Sequence, residues 1–359
     1  KLVFWELELE KLDDPQMHEI LTMQKAEANM LYSKFVENNY LDWINGSADA
    51  PLFSHELIKK KVFPLINETT PVFFILIDNL RYDQWKIINP LISEHFRLEE
   101  EDTYSSILPT ATQYARNAIF SGLTPLDMEK RFPSLWQNDD DEGGKNLHEE
   151  TFLGEQIKRS LRKDCKFSYH KILTFDQGKD LVEQVNNLMH NDLNAIVFNF
   201  VDMLSHARTD MQMIRELAND DAAYRSLTLS WFEHSPLLEL IKKLAQQRIK
   251  LIITTDHGTI RVKNPSKVIG DRSTNTNLRY KQGKNLNFNP KEVFLIKNPH
   301  DAKLPKVNIS SNYIFAKEDQ YFVYQNNYNQ FVNYYNETFQ HGGISMEEMI
   351  IPIVTYGSK

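Results

Sequence analysis

Three short apolar runs, each ending on an acid, limit what this chain can fold into. Val72 to Ile77 (VFFILI) runs into Asp78. Ala195 to Val201 (AIVFNFV) runs into Asp202, with His206 four residues on. Leu251 to Gly258 (LIITTDHG) carries an apolar run into Asp256 and His257. Runs of this length, rich in β-branched and aromatic residues, describe buried strands that stop where polar groups begin. The stretches between them are long enough for crossover helices. The order predicts an α/β fold built on a doubly wound, mostly parallel sheet with helices on both faces. In such sheets ligands sit beyond the carboxyl ends of the strands, so three acids are expected at one edge.

Ahead of the first strand the pattern is helical. Asp14-Pro15 is a helix start, and Met17, Ile20, Leu21, Met30, Leu31 and Phe35 recur at helical spacing up to Asn45-Gly46. A second short helix is expected from Ser54 to Phe63, stopped by Pro64. Residues 1–66 thus read as a helical module or linker whose apolar stripe packs on the main domain or on another chain, and residues 67–359 as the main domain. The chain opens at Lys1 and reads as an excised portion of a longer protein, with no receiver-like sequence before its helices. It shows neither a signal-peptide pattern nor an apolar run long enough to cross a membrane.

Within the main domain, LPTATQYARNAIFSG (Leu108 to Gly122) puts threonines where a helix starts, and a helix N-terminus attracts anions. DDDEGG (Asp139 to Gly144) reads as a solvated acidic loop. Beyond His257 the chain turns basic, with Arg261, Lys263, Lys267, Arg272, Arg279, Lys281 and Lys284 against one acid, Asp271. That segment is either a mobile solvated loop or a holder of an anionic substrate. In HGGISMEEM, Ser345 and Glu348 form a capping box, and His341 lies on the glycine-softened loop before it. The formal charge of −8 argues against a general nucleic-acid-coating role. Cys165 is alone, which excludes an internal disulfide and a cysteine zinc cage and fits a reducing, cytoplasmic compartment.

Carboxylates and imidazoles at several strand ends, without cysteine, are a ligand set for zinc, manganese or a related divalent ion. There are enough of them for two ions, a recurrent solution for phosphoryl chemistry.

The words FFILIDNLRYDQW, ILPTATQYARNAIFSG, FNFVDMLSHAR, TTDHG and HGGISMEEM, spread over residues 70–355, resemble the alkaline phosphatase superfamily. The similarity is closest to its PglZ-type members of the PorX-like kind, response regulators associated with type IX secretion. The resemblance implies one metal held by Asp78, Thr112, Asp256 and His257 and a second held by Asp202, His206 and His341, zinc being the expected ion at both. It also implies Thr112 as nucleophile, with Thr110 as the alternative, because the nucleotide pyrophosphatase/phosphodiesterase branch has a similar Pro-Thr-Xaa-Thr stretch. Ala111 stands where that branch usually has lysine. Arg116 and Asn117, in the first turns of the following helix, are candidates for touching phosphate oxygens. Sulfatase chemistry is disfavoured, since Cys165 lies in KDCKFSYH.

Two function classes follow. One is a metal-dependent phosphodiesterase acting on nucleotides or short cyclic or linear oligonucleotides, with Arg272 and Lys281 among the residues that would track further phosphates. The other is a metal-stabilised interaction module with little turnover, or a phosphomonoesterase. For the full-length protein the resemblance implies a sensor histidine kinase, secretion-system components and a sigma factor as partners, with phosphorylation promoting a homodimer. It implies no membrane insertion.

Overall fold

The apolar runs become neighbouring strands of one six-stranded sheet. In the computed structural model, which describes residues 1–359 except 13, 68, 140, 142, 162, 163, 272, 273 and 309, these strands are β1 (Val72–Ile77), β2 (Phe96–Ser105), β3 (Phe167–Ile172), β4 (Leu193–Phe198) and β5 (Lys250–Thr254), completed by Ile350–Ser358. The order across the sheet is β2, Ile350–Ser358, β5, β1, β4, β3. β5, β1, β4 and β3 run parallel, while Ile350–Ser358 is antiparallel to both its neighbours. The charged sequence of β2, RLEEEDT, lies mostly in solvent and blunts the outer edge.

Register decides what meets at the carboxyl edge. Ile77 pairs with Phe198, and Leu76 with Thr254, so the three strands end level and the residues after each one emerge side by side. One expectation is corrected here. The run AIVFNFV does not stay extended to Val201, because Asn199 turns and a helix, Phe200–Asp210, begins at once. Phe200 and Val201 are apolar because the helix buries them: Val201 is buried and Phe200 stacks on Trp231 at 4.5 Å. Over so few residues an apolar run does not separate strand from helix. Asp202 therefore stands in the first turn of a helix rather than at a strand tip.

The sheet is covered on both faces. Ahead of it lie α1 (Leu2–Leu9) and α2 (Pro15–Ile44), the latter capped by Asp14, whose side chain accepts from the Gln16 and Met17 amides. On one face of the sheet Phe73, Ile75 and Ile77 meet Trp85, Ile88 and Ile92 of α3 (Tyr82–Ser93). On the other Phe74 and Leu76 meet Ile119 and Phe120 of α4 (Thr112–Ser121) and Phe152, Leu153 and Ile157 of the helix Glu149–Ser160. Alternation along β1 feeds the two layers. Residues 54–65 form a chain of irregular helical turns rather than one helix, and Pro64 lies inside the last of them.

The apolar stripe of α2, expected to pack on the main domain or on another chain, mostly faces away from the domain: Met17, Ile20, Met30, Leu31 and Phe35 are each more than 40% exposed. The opposite face docks instead, with Asn29, Ser33, Val36, Tyr40 and Trp43 buried. Its polar members reach loop groups. Asn29 Nδ2 donates to Glu347 Oε2 at 2.8 Å, Ser33 Oγ to the Ile344 carbonyl at 3.3 Å, and Tyr40 Oη accepts from the Leu108 amide at 2.8 Å. No helix among the described residues is long and apolar enough to cross a membrane.

The chain after β5 passes very close to the loop before Ile350–Ser358. A Cβ on Gly258 would lie 2.1 Å from the Glu347 carbonyl oxygen, a backbone atom that cannot swing away. Gly258→Ala is expected to cost about 1–3 kcal/mol through overpacking. Urea denaturation checks it, and an unchanged midpoint would contradict the close approach.

Candidate metal centre

Two groups of side chains form where the strands end. In the first, Asp78 follows β1, Asp256 and His257 follow β5, and Thr112 opens α4. His257 Nε2 lies 4.0 Å from Asp78 Oδ1, 3.9 Å from Asp256 Oδ2 and 3.0 Å from Thr112 Oγ1, which is itself 3.4 Å from Asp78 Oδ1. In the second, Asp202 and His206 sit one helical turn apart, with His206 Nε2 3.5 Å from Asp202 Oδ2 and His341 Nε2 3.9 Å from Asp202 Oδ1. The His257 and His341 rings stack at 4.2 Å and 19°, which sets the groups side by side. Within each set of three acids and histidines the potential ligand atoms all lie within 4.8 Å of one another.

The backbone aims the imidazoles. His257 Nδ1 faces the Gly258 carbonyl at 3.2 Å and His341 Nδ1 faces the Thr110 carbonyl at 3.1 Å. A ring that donates from Nδ1 presents the Nε2 lone pair to the cluster, as outer partners of metal-binding histidines do. Burial lowers both rings, His341 to about 3, and so keeps them neutral and able to ligate.

The acids carry the opposite problem. Burial, then the Asp256 charge, raises Asp78 well above the ordinary carboxylate range, and burial also raises Asp256. Burial works the same way on Asp202, but the His206 hydrogen bond and the neighbouring imidazoles outweigh it and leave this acid lowered. Asp256 Oδ2 is buried without a hydrogen-bond partner among the described residues. An orphaned carboxylate oxygen, a second raised acid and neutral imidazole nitrogens pointing at them are what a divalent cation would satisfy. The residues present fit such an ion.

The remaining sequence-predicted residues fall differently. Thr110 is fully buried, donating to the Gly343 carbonyl at 2.8 Å and accepting from the Gly342 amide at 3.1 Å. Arg116 reaches the centre, yet its guanidinium is engaged: Nη1 donates to Asp78 Oδ2 at 2.6 Å and Nε to Glu149. Asn117 donates to the Lys145 carbonyl and accepts from Asn146, which also caps the Thr112 carbonyl. Arg272 lies outside the described residues. Lys281 is buried in a smaller, three-stranded sheet made of Tyr280–Gly283, Asn312–Ala316 and Val293–Ile296, its Nζ donating to the Asn275 carbonyl at 3.0 Å and lying 4.4 Å over Tyr324.

The reading of the basic segment as a mobile solvated loop is corrected at several positions, because Arg279 is fully buried on Glu348 at 2.7 Å and Arg261 pairs with Glu337. The acidic loop is corrected at Asp139, which accepts from Asn275 Nδ2 at 2.8 Å and from Tyr280 Oη at 3.1 Å. Sequence reasoning missed Asn79, Glu149, Ser205 and Thr255, which hold the ligand-bearing loops. An asparagine directly after an acid at a strand end, a residue type that tolerates the left-handed turn found there, was the signal available for one of them.

Residues 57–356 match the family described as the BREX system PglZ alkaline phosphatase-like domain, and residues 1–44 match the PorX response regulator linker domain. Among solved structures, human ectonucleotide pyrophosphatase/phosphodiesterase 5 is similar with a TM-score of 0.55 and 12% identity, covering 80% of this chain and 88% of that one. The murine protein gives 0.54 and 12%, covering 81% and 88%. At such identity the likeness is one of fold. No curated protein sequence matches the chain significantly.

Burial pulls the Lys281 ammonium down from 10.5 to about 7. Between these values the unfolded chain binds a proton that the folded one does not, so this group makes stability rise with pH from 7 upward. Lys281→Met is expected to remove that rise, about 2–3 kcal/mol between pH 7 and 9. Chemical denaturation of both proteins at pH 7, 8 and 9 checks it; parallel curves would place the charged lysine in water.

Proposed function

We propose, for a chain that belongs to the PglZ alkaline phosphatase-like family and with it to the phosphoric ester hydrolases of the alkaline phosphatase superfamily, a zinc-dependent phosphodiesterase that cleaves nucleotides or short oligonucleotides with Thr112 as its nucleophile. One observation carries the reading: Thr112 Oγ1 faces His257 Nε2 and Asp78 at 3.0 and 3.4 Å, whereas the Thr110 hydroxyl is consumed inside the His341 loop. The threonine in the first turn of α4 also stands where helix N–H groups favour an anion.

Bound divalent ions, held by Asp78, Thr112, Asp256 and His257 and by Asp202, His206 and His341, would supply the positive charge that favours the threonine alkoxide and stabilises the departing oxygen. Thr112 Oγ attacks phosphorus, the P–O bond to the leaving alcohol breaks, and the phosphoryl group passes to threonine. Water then cleaves the threonyl ester, returning the hydroxyl. Arg116 keeps Asp78 oriented through its 2.6 Å contact, and the Gly258 and Thr110 carbonyls keep the two imidazoles turned inward.

Commitment of the Arg116 guanidinium to Asp78 and Glu149 supports diesters over monoesters, since a dianionic monoester needs a cationic clamp that a singly charged diester does not. Lys281, inside the smaller sheet, has no place in this reading. The linker match over residues 1–44 supports a cytoplasmic response regulator in which residues 1–66 join an input to the catalytic residues 67–359. A sensor histidine kinase, type IX secretion components and a sigma factor are then its partners, and dimerisation is its switch.

Thr112→Ala is expected to lower kcat on bis-para-nitrophenyl phosphate by about a thousandfold or more, with metal content retained. Thr110→Ala is expected to keep kcat in its folded fraction while losing about 1–3 kcal/mol of stability, because it strands the Gly342 amide. The opposite ranking, or para-nitrophenyl phosphate as the better substrate for zinc-loaded protein, overturns the assignment. Elemental analysis after zinc loading should give two ions per chain, and chelator should lower the melting temperature. Fewer than one ion per chain would remove the metal reading.

A further inference from the structure

Asn79 follows the Asp78 ligand and is fully buried, with φ of +64°. That left-handed conformation suits glycine and costs most other residues free energy. A second cost accompanies it, since the amide Oδ1 has no partner among the described residues. Two costs at one buried position call for a compensating role.

The contacts supply one. The Asn79 amide N–H donates to Asp256 Oδ1 at 3.2 Å. The side-chain Nδ2 donates to Asp202 Oδ1 at 3.3 Å and to Ser205 Oγ at 3.2 Å, and Ser205 Oγ in turn donates to the Asp202 carbonyl at 2.8 Å. The next residue extends the brace: the Leu80 amide donates to Thr255 Oγ1 at 2.9 Å, and that hydroxyl donates to the His257 carbonyl at 2.9 Å. One residue therefore touches a carboxylate from each group. It does so by separable means, the backbone on the Asp256 side and the side chain on the Asp202 side.

We infer that Asn79 is a positioning residue that couples the two metal groups, its side chain orienting Asp202 for the second ion while its backbone steadies Asp256 at the first. The inference rests on the metal reading above. Because the left-handed turn fixes where Nδ2 points, the Asp202 carboxylate is held from a strand-end loop although it grows from a helix. On the helix itself His206 faces the other oxygen, Oδ2, at 3.5 Å, so Asn79 and His206 fix the carboxylate from its two sides.

Glycine separates the two functions, since it adopts the same φ without strain and keeps the backbone donor. Zinc titration of apo protein against a chromophoric chelator resolves two binding steps, and Asp202→Ala identifies which belongs to the second group. Asn79→Gly is expected to weaken that step about tenfold to a hundredfold, the usual cost of losing an outer partner of a ligand. The other step should keep its affinity and the apo melting temperature should stay level or rise. Asn79→Ala should show the same affinity loss with a lower apo melting temperature, and Ser205→Ala a smaller loss at the same step. Two wild-type affinities in Asn79→Gly, or an equal loss at both steps, overturn the role of Asn79 alone. A wild-type protein that takes up fewer than one ion overturns the metal reading beneath it.

Discussion

Mutual repulsion among buried carboxylates is the constraint on which this architecture turns. Asp78, Asp202 and Asp256 meet at one sheet edge, and burial has stripped from Asp78 and Asp256 the water that would screen them. The chain answers in part. Arg116 spans Asp78 and Glu149, the Asn79 and His257 amides both donate to Asp256 Oδ1, and His206 and His341 flank Asp202. What remains is an Asp256 oxygen without a hydrogen-bond partner among the described residues, and two acids raised above their ordinary range, a deficit of positive charge that suits divalent ions.

Holding such a centre in one geometry requires a rigid surround, and it is polar as well as apolar. Glu348 accepts from Arg279, from the Gly343 amide and from Ser345 Oγ, which stiffens the loop that carries His341. The Gly258 amide donates to the Glu348 carbonyl, tying the His257 loop to the same support. Since α2 reaches the Ile344 and Leu108 loops through Ser33 and Tyr40, the linker bears on the segments that carry His341 and Thr112. Buried pairs such as Arg279 with Glu348 do not guarantee net stability, but losing one partner is costly, and that cost enforces one geometry.

The basic segment shows how charge in a sequence misleads when its partners are distant. Arg279 and Lys281 read as cations of a solvated loop or of an anion holder, yet Arg279 is spent on Glu348, 69 residues on, and Lys281 on the Asn275 carbonyl and the Tyr324 ring. The α2 helix misled in the opposite direction. Its apolar stripe was legible, but the docked face includes Asn29, Ser33 and Tyr40, chosen to satisfy loop polar groups that no local pattern announces.

The three central strands, their parallel sense and the acids that follow two of them were determined by sequence alone, because an apolar run of strand length punctuated by an acid has few ways to be buried. Asp78, Asp256 and His257 were legible for that reason, and Asp202 with His206 from their one-turn spacing. Tertiary structure decided the rest. It turned the end of the second run into a helix, gave one threonine to the His341 loop and the other to the centre, and spent Arg116 on Asp78. Each of those outcomes depends on contacts between residues tens to hundreds of positions apart, and hydrogen-bond partners at that separation leave no periodicity in the chain to read.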